Sequence, residues 1–417
     1  MPVEKIQTLI IGGGQAGLAM SHRLSQRGLE HLVLERHRIA ERWRSERWDG
    51  LRFQFPNWSV RLPDFPFPHA DPDGFATPGE IVDFIRAYAD FIVAPIRCGV
   101  DVTRLRRRAG ASGFVAETSH GPIEADHVVV ATGPYQRPAI PASLRDELDV
   151  FQAHASQYRN PAQLPEGAVL VVGSGASGAQ IAEELLQSGR RVYLAVGQHR
   201  RMPRRYRGRD LIWWLDDMGL LQRPAEERGP ERSLPLISGA LGGNTIDFRR
   251  YAAEGVTLLG RLQAAHQGVV SFAPDLAKRL AYGDASYTIF LDMMDAHAEA
   301  HGLDMPADPA ARAVWPDPLC LAEPLRRLDL DACGIGAVIW ATGYGFDFGW
   351  IDIPVLDSRG EPLHVNGIAA VPGLYFLGLQ WLSRLNSSIL SGVGEDAADL
   401  ADHIRASCHH PKIAGEM

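Results

Sequence analysis

Residues 9–17 read LIIGGGQAG, and residues 169–178 read VLVVGSGASG. Each is an apolar run ending in G-x-G-x-x-G. The first run starts at Ile6 and has the continuous apolar character of a strand buried on both faces of a parallel sheet. Gly12, Gly14 and Gly17 follow at once, and Ala16, Ala19, Met20 and Leu24 then recur at helical spacing. The next apolar run, HLVLE at 31–35, ends in Glu35, at the distance of about 20 residues where an acid meets a ribose. Strand, glycine turn, helix, strand and terminal acid together predict a dinucleotide-binding unit, which the three glycines alone would not.

Each glycine has a mechanical task. Gly12 permits a tight turn off the strand. Gly14 lets backbone N–H groups approach a pyrophosphate at the helix N-terminus, where the helix dipole favours negative charge. Gly17 lets the helix pack closely on the sheet. Residues 168–196 repeat the unit, with strand AVLVV, glycines Gly173, Gly175 and Gly178, helix AQIAEELLQSG and strand RVYLAV. The acid is missing from this second copy. Gly197, Gln198, His199, Arg200 and Arg201 follow the strand instead, with Arg204 and Arg205 close behind. A carboxylate there would repel a 2′-phosphate, whereas guanidinium groups bind one bidentately. The second unit therefore reads as an NADPH site with Arg200 and Arg201 on the phosphate, or Arg204 or Arg205 if the loop is shifted. A solvated basic loop is the alternative.

Two further strands end alike, in HVVVATGPY at 127–135 and AVIWATGY at 337–344. Small residues at such a strand end suit a backbone crossing close to a cofactor. Two nucleotide units in one chain imply two dinucleotides held together, a flavin that keeps electrons and a nicotinamide that delivers them. The expected fold is α/β, with two Rossmann-like dinucleotide-binding domains, the NADPH domain inserted into the FAD domain. The FAD domain is read as 1–159 and 326–417. The NADPH domain is read as 160–325, with a helical insertion at about 206–250 around LIWWLDDMGLL.

The composition removes other classes. The chain has 417 residues, 46% of them apolar, and a net charge of −8, which argues against a nucleic-acid partner. The N-terminus reads as running directly into a strand, so no signal peptide is expected, and no apolar stretch is long enough to span a membrane. Cys98, Cys320, Cys333 and Cys408 form no C-x-x-C pair, which reads as reduced thiols in the cytoplasm and weighs against a disulfide reductase. No G-x-S-x-G or H-E-x-x-H is present. The terminal CHHPK at 408–412 reads as a solvated tail, so no metal is expected.

These motifs, with WRSERWDGLRFQFPNWSVRLPDFPFP at 43–68, DGFATPGEIVDFIRAYA at 73–89, HASQYRNP at 154–161 and VPGLYFLG at 371–378, resemble the class B flavoprotein monooxygenases. That superfamily includes the flavin-containing, indole-pyruvate and Baeyer–Villiger monooxygenases, and the resemblance is closest to its bacterial CzcO-like members. It covers nearly the whole chain. Of the fingerprint F-x-G-x-x-x-H-x-x-x-W/Y, His154 and Tyr158 fit the second half, but Leu148 and Val150 replace the Phe and Gly. Ala40-Glu41-Arg42-Trp43 replaces the usual Gly-Gly before the Trp.

The resemblance implies that the first unit holds FAD and the second NADPH. For FAD it implies Gly12, Gly14, Gln15, Ala16, Gly17, Glu35 and Arg36. To these it adds Trp43, Arg44, Val102, Ala131, Thr132, Gly133 and Gly378. For NADPH it implies Gly173, Ser174, Gly175, Ser177 and Gly178, then Arg200 and Arg201, then Ala341, Thr342 and Gly343. The polar residue beside the reacting flavin falls at Gln54, with Asn57 next, though Asn57 also suits a turn. The implied reaction uses NADPH and O2, proceeds through a C4a-(hydro)peroxyflavin, and oxygenates a small organic substrate by N- or S-oxygenation, hydroxylation or ketone oxidation. A flavin reductase or oxidase without organic substrate, and a nucleotide-sensing subunit of a transport system, are the alternatives. A homodimer is left open.

Overall fold

Two parallel sheets grow from the two glycine-turn units. The computed structural model describes residues 3–229 and 236–409. The first sheet has nine strands. Its parallel centre runs Leu374–Phe376, Gly121–Val130, Glu4–Ile11, His31–Glu35 and Ile96–Cys98. An antiparallel hairpin, Val102–Arg107 and Phe114–Thr118, extends it from Gly121–Val130. Helix Gln15–Gln26 buries Ala16, Ala19, Met20 and Leu24, as its spacing predicts, and packs against the C-terminal helix Val393–His409. The second sheet is wholly parallel, in the order Phe151–His154, Ile335–Trp340, Ala168–Val172, Val192–Ala195 and Thr257–Leu259. This is the expected α/β architecture with one dinucleotide unit inserted into the other.

The pairing moves both expected boundaries. Phe151–His154 and Ile335–Trp340 were placed in the FAD domain by the sequence reading, yet they pair with each other and with Ala168–Val172. The run Ala337 to Trp340 is fully buried and needs strands on both sides, which only the second sheet supplies. The chain therefore crosses between halves at Arg137–Pro138 and returns at Tyr344–Gly345. These two crossings pair antiparallel.

The insertion also differs from expectation. Within 206–250 the described helices are short, Leu211–Asp217 and the start of Phe248–Ala253. The dominant helix lies downstream at Leu276–Ala300. Its Tyr287, Phe290, Leu291 and Met294 form one core with Met202, Tyr206, Leu211 and Trp214. Trp214 is fully buried and its indole N–H donates to the Tyr206 carbonyl at 3.0 Å, so this aromatic residue is core. Of CHHPK, residues 410–412 lie outside the described residues.

Candidate active site

The register of each sheet delivers its glycine turn to the same kind of place. Ile11 pairs with Leu34 on one side and Val130 on the other. Val172 pairs likewise with Ala195 and Trp340. A Cβ on Gly12 would stand 2.5 Å from the Ala131 carbonyl oxygen, and one on Gly173 would stand 2.4 Å from that of Ala341. Both glycines have positive φ, +117° and +104°, so a side chain is excluded by strain and by space together. The paired Ala-Thr-Gly segments are thus the walls against which the first glycine of each motif turns.

The third glycine of each motif packs equally closely. A Cβ on Gly17 would stand 1.9 Å from the Gly12 carbonyl oxygen, and one on Gly178 the same distance from that of Gly173. The middle glycines are different, because a Cβ on Gly14 or Gly175 meets nothing within 4 Å. Each opens onto a cradle at a helix N-terminus, which fits a pyrophosphate.

Both cradles belong to one cavity of about 1060 Å³. From the first half, Gly12, Gly14, Gln15, Ala16, Glu35, Arg36, Val102, Ala131, Thr132, Gly133 and Gly378 line it. From the second half, Ser174, Gly175, Ser177, Arg200, Ala341 and Gly343 line it. Gly17, Gly173 and Gly178 lie under the turns instead. Thr342 also leaves the wall, its hydroxyl donating to the Ala139 carbonyl. The Glu35 carboxylate accepts from the Gly13 N–H at 2.7 Å and the His37 N–H at 2.8 Å, bracing the first turn from the neighbouring strand. In register, its counterpart in the second half is Val196, which is buried. There the Ser174 hydroxyl accepts from the Gly197 N–H at 2.9 Å, so the brace runs from turn to strand.

Four expected residues are placed elsewhere. Arg201 does not line the cavity. It is buried, paired with Asp247 at 2.6 Å and Asp284 at 3.2 Å, and its guanidinium lies 4.1 Å from the Tyr287 ring centre. Those carboxylates stand on elements far along the chain, so the run of arginines gave no sign that this one was committed. Arg204 is likewise buried against Asp210. Arg44 lies with Arg38, Arg86 and Cys98 around a separate hollow, while Trp43 lines the cavity. Glu41–Ser45 is a helical turn, and adjacent residues there face about 100° apart. Trp43 packs edge-on against Phe53, with Arg47 stacked over it. Asn57 starts a single 3₁₀ turn, its amide donating to the Asp71 carbonyl at 2.9 Å, and it takes the turn role rather than the site role.

Gln54 does line the cavity. Its side-chain N–H donates to the Ile237 carbonyl at 3.2 Å, and its backbone carbonyl accepts from Arg204 at 2.7 Å. His154 ties strand Phe151–His154 to the return crossing, its Nε2 lying 3.0 Å from the Gly343 carbonyl. A carbonyl only accepts, so Nε2 carries the proton. Nδ1 then accepts from the Ser156 N–H at 3.1 Å. Burial pushes the pKa of His154 down, consistent with this neutral tautomer. Tyr158, the other fingerprint residue, is fully buried and donates to Glu184 at 2.8 Å. Burial holds the Glu184 carboxyl above its usual range. Among the described residues no group of three His, Cys, Asp or Glu is placed to hold a metal ion, and no helix is long and apolar enough to cross a membrane.

Comparison with known proteins agrees with this geometry. The family described as pyridine nucleotide-disulphide oxidoreductase matches residues 9–211. An uncharacterized oxidoreductase described as CzcO-like, from Geobacillus kaustophilus, is 34% identical over 405 residues, covering 96% of this chain and 98% of that protein. The chain belongs to the CzcO-like oxidoreductases. A probable indole-3-pyruvate monooxygenase of Arabidopsis thaliana is 35% identical over 196 residues, 45% of this chain and 46% of its own length. The solved flavin-containing monooxygenase of Stenotrophomonas maltophilia shares the fold, with a TM-score of 0.68 at 18% identity over 97% of this chain and all of that one. This CzcO-like chain is an oxidoreductase.

Sequence reasoning missed Gln180, which lines the cavity from helix Ala176–Gln187 and is buried. It is one of two polar residues on the buried face of that helix, with Glu183. A polar residue interrupting an apolar stripe just after a glycine turn was the available signal.

Proposed function

We propose that this chain is a cytoplasmic monooxygenase that uses NADPH and O2 to oxygenate a small organic substrate, a soft nucleophile or a ketone. One observation carries the reading: both dinucleotide cradles open into one cavity, with Gln54 on its wall. In this reading Gly14, Gln15, Ala16, Glu35, Arg36, Val102, the Ala131–Gly133 segment and Gly378 hold FAD. Ser174, Gly175, Ser177, Arg200, Ala341 and Gly343 hold NADPH. Once bound, FAD supplies hydride acceptance from NADPH and activation of O2. The chain's own task is to bind, orient and keep water out. The helix N-termini after Gly14 and Gly175 neutralise the pyrophosphates. The Gln54 amide stands ready to hydrogen-bond flavin or nicotinamide. Neutral His154 moves no proton here, because both ring nitrogens are committed to the backbone.

The experiment is NADPH oxidation by the FAD-loaded protein under O2, with oxygen uptake, peroxide yield and product analysis over amines, sulfides and ketones. Expected are flavin reduction by NADPH and an oxygenated product at a peroxide yield below the NADPH consumed. Peroxide equal to NADPH with every substrate would make the chain an oxidase. A protein that takes up no FAD would refute the reading outright.

A further inference from the structure

The segment 236–243 crosses from the second half onto the first. Ile237 and Ser238 are buried. A Cβ on Gly239 would stand 2.0 Å from the Phe53 carbonyl oxygen, and one on Gly243 would stand 2.6 Å from the Phe75 ring. The crossing is thus as close as glycine allows. At its centre the Ile237 carbonyl accepts two amide donors, Gln54 Nε2 of the first half at 3.2 Å and Gln180 Nε2 of the second at 3.0 Å. Both glutamines line the cavity.

A carbonyl has no proton to give, so each glutamine must turn its NH₂ to Ile237. That choice fixes the other end of each amide. Among the described residues neither Gln54 Oε1 nor Gln180 Oε1 has a hydrogen-bond partner, and neither is a fully buried orphan. Two acceptors, anchored on one oxygen, are therefore left to the cavity from opposite halves. A ligand group that satisfies them must be a donor. Of the two dinucleotides, the nicotinamide carries a carboxamide N–H at its reacting end.

We infer that Gln180 is a positioning residue for the nicotinamide: with Gln54 it shares the Ile237 carbonyl and offers its Oε1 to the carboxamide N–H, fixing the ring between the halves. This rests on the NADPH assignment above. It explains why a buried helix face whose one other polar residue is Glu183 carries a glutamine at this position.

The test uses the FAD-loaded protein and reads ligand binding from the perturbation of the oxidised flavin spectrum, or by calorimetry. Three ligands are compared: NADP⁺, its 3-acetylpyridine analogue, which replaces the carboxamide NH₂ with a methyl group, and adenosine 2′,5′-bisphosphate, which lacks the nicotinamide. The wild type should bind NADP⁺ about three- to tenfold more tightly than the acetylpyridine analogue, the worth of one hydrogen bond. In Gln180→Met, of similar volume, that preference should collapse while bisphosphate affinity stays the same. A wild type that does not discriminate the two dinucleotides overturns the inference without needing any variant to fold. Equal weakening of all three ligands in Gln180→Met, or of none, overturns it too, since a merely structural glutamine would act on them alike. Failure of every ligand to bind would instead refute the NADPH assignment itself.

Discussion

The three glycines of each motif do different work, and single alanines separate it. At Gly17 the added methyl would lie 1.9 Å from the Gly12 carbonyl oxygen. Real Cβ atoms do not come closer than 3.0 Å, so the helix must retreat by about 1 Å from a backbone that close packing prevents from yielding. Overpacking of this sort costs about 3 kcal/mol at the upper end of its usual range. Alanine in place of a helical glycine returns about 1 kcal/mol, leaving about 2 kcal/mol of net destabilisation, or about 4–8 °C in Tm for a half of this size. At Gly14 the methyl meets nothing within 4 Å, and the cost to the fold stays within about 1 kcal/mol, the difference between glycine and alanine at a helix N-cap. The same methyl intrudes where a phosphate must reach the backbone N–H groups. Losing one hydrogen bond to a charged group costs about 1.5–3 kcal/mol, roughly ten- to a hundredfold in Kd. Gly178→Ala and Gly175→Ala repeat the contrast for NADPH. Thermal unfolding is measured on FAD-free protein, since a bound ligand adds its own stability, and Kd is measured by flavin titration. Gly17→Ala as stable as the wild type, or Gly14→Ala binding FAD at wild-type affinity, would refute the division of labour.

With Arg200 on the 2′-phosphate as proposed, Arg200→Ala should lower the kcat/KM of flavin reduction by NADPH about tenfold and that by NADH much less, since NADH carries no 2′-phosphate. Arg201→Ala should instead lower stability by about 3–5 kcal/mol, because Asp247 is left charged and buried, with no selective change in the NADPH-to-NADH ratio. Burial lowers the pKa of His154 below the ordinary 6.5, so the unfolded chain binds more protons as pH falls, and the stability His154 contributes is complete above about pH 6.5 and lost below it. Urea unfolding of His154→Gln between about pH 7.5 and 5.5 should therefore show a shallower loss of stability on acidification than the wild type. His31, His127, His199 and His364 shift in the same direction and keep part of the slope.

What could be read in advance was local in sequence. The glycine turns, the helices after them and Glu35 are specified within about thirty residues, and the structure places them as expected. What failed was non-local. Arg200 and Arg201 are indistinguishable neighbours until Asp247 and Asp284 arrive from other elements to claim one of them. Strand Ile335–Trp340 declares its own burial but not which sheet buries it. Helix Leu276–Ala300 was overlooked because it covers more than one neighbour: His199 packs at its Gly283, while Tyr287 and Met294 enter the core beside Trp214. A helix apolar on more than one side shows no clean stripe to a reading based on amphipathic periodicity.

Inserting one dinucleotide unit in the other leaves two covalent links between them, and their arrangement constrains how the halves can move. The links lie side by side as an antiparallel pair, Tyr344 opposite Pro138 and Gly345 opposite Arg137. The Ala139 N–H donates to the Gly343 carbonyl at 2.9 Å, and His154 reaches that same carbonyl at 3.0 Å. A paired ribbon resists twisting and shear more than two separate strands would, so bending across it is the softest motion. Gly343, at φ +83°, is both part of this ribbon and part of the cavity wall. Any bend there moves the second cradle relative to the first. Segment 236–243 opposes such a bend through the Ile237 carbonyl, and three backbone bonds join the halves elsewhere, from the Ala225 N–H to the Ser383 carbonyl at 2.8 Å, from the Leu385 N–H to the Arg223 carbonyl at 3.0 Å and from the Asn386 N–H to the Leu221 carbonyl at 3.1 Å. The inserted half is thus held both at a hinge and at a strap, and the strap resists the bend that the hinge permits.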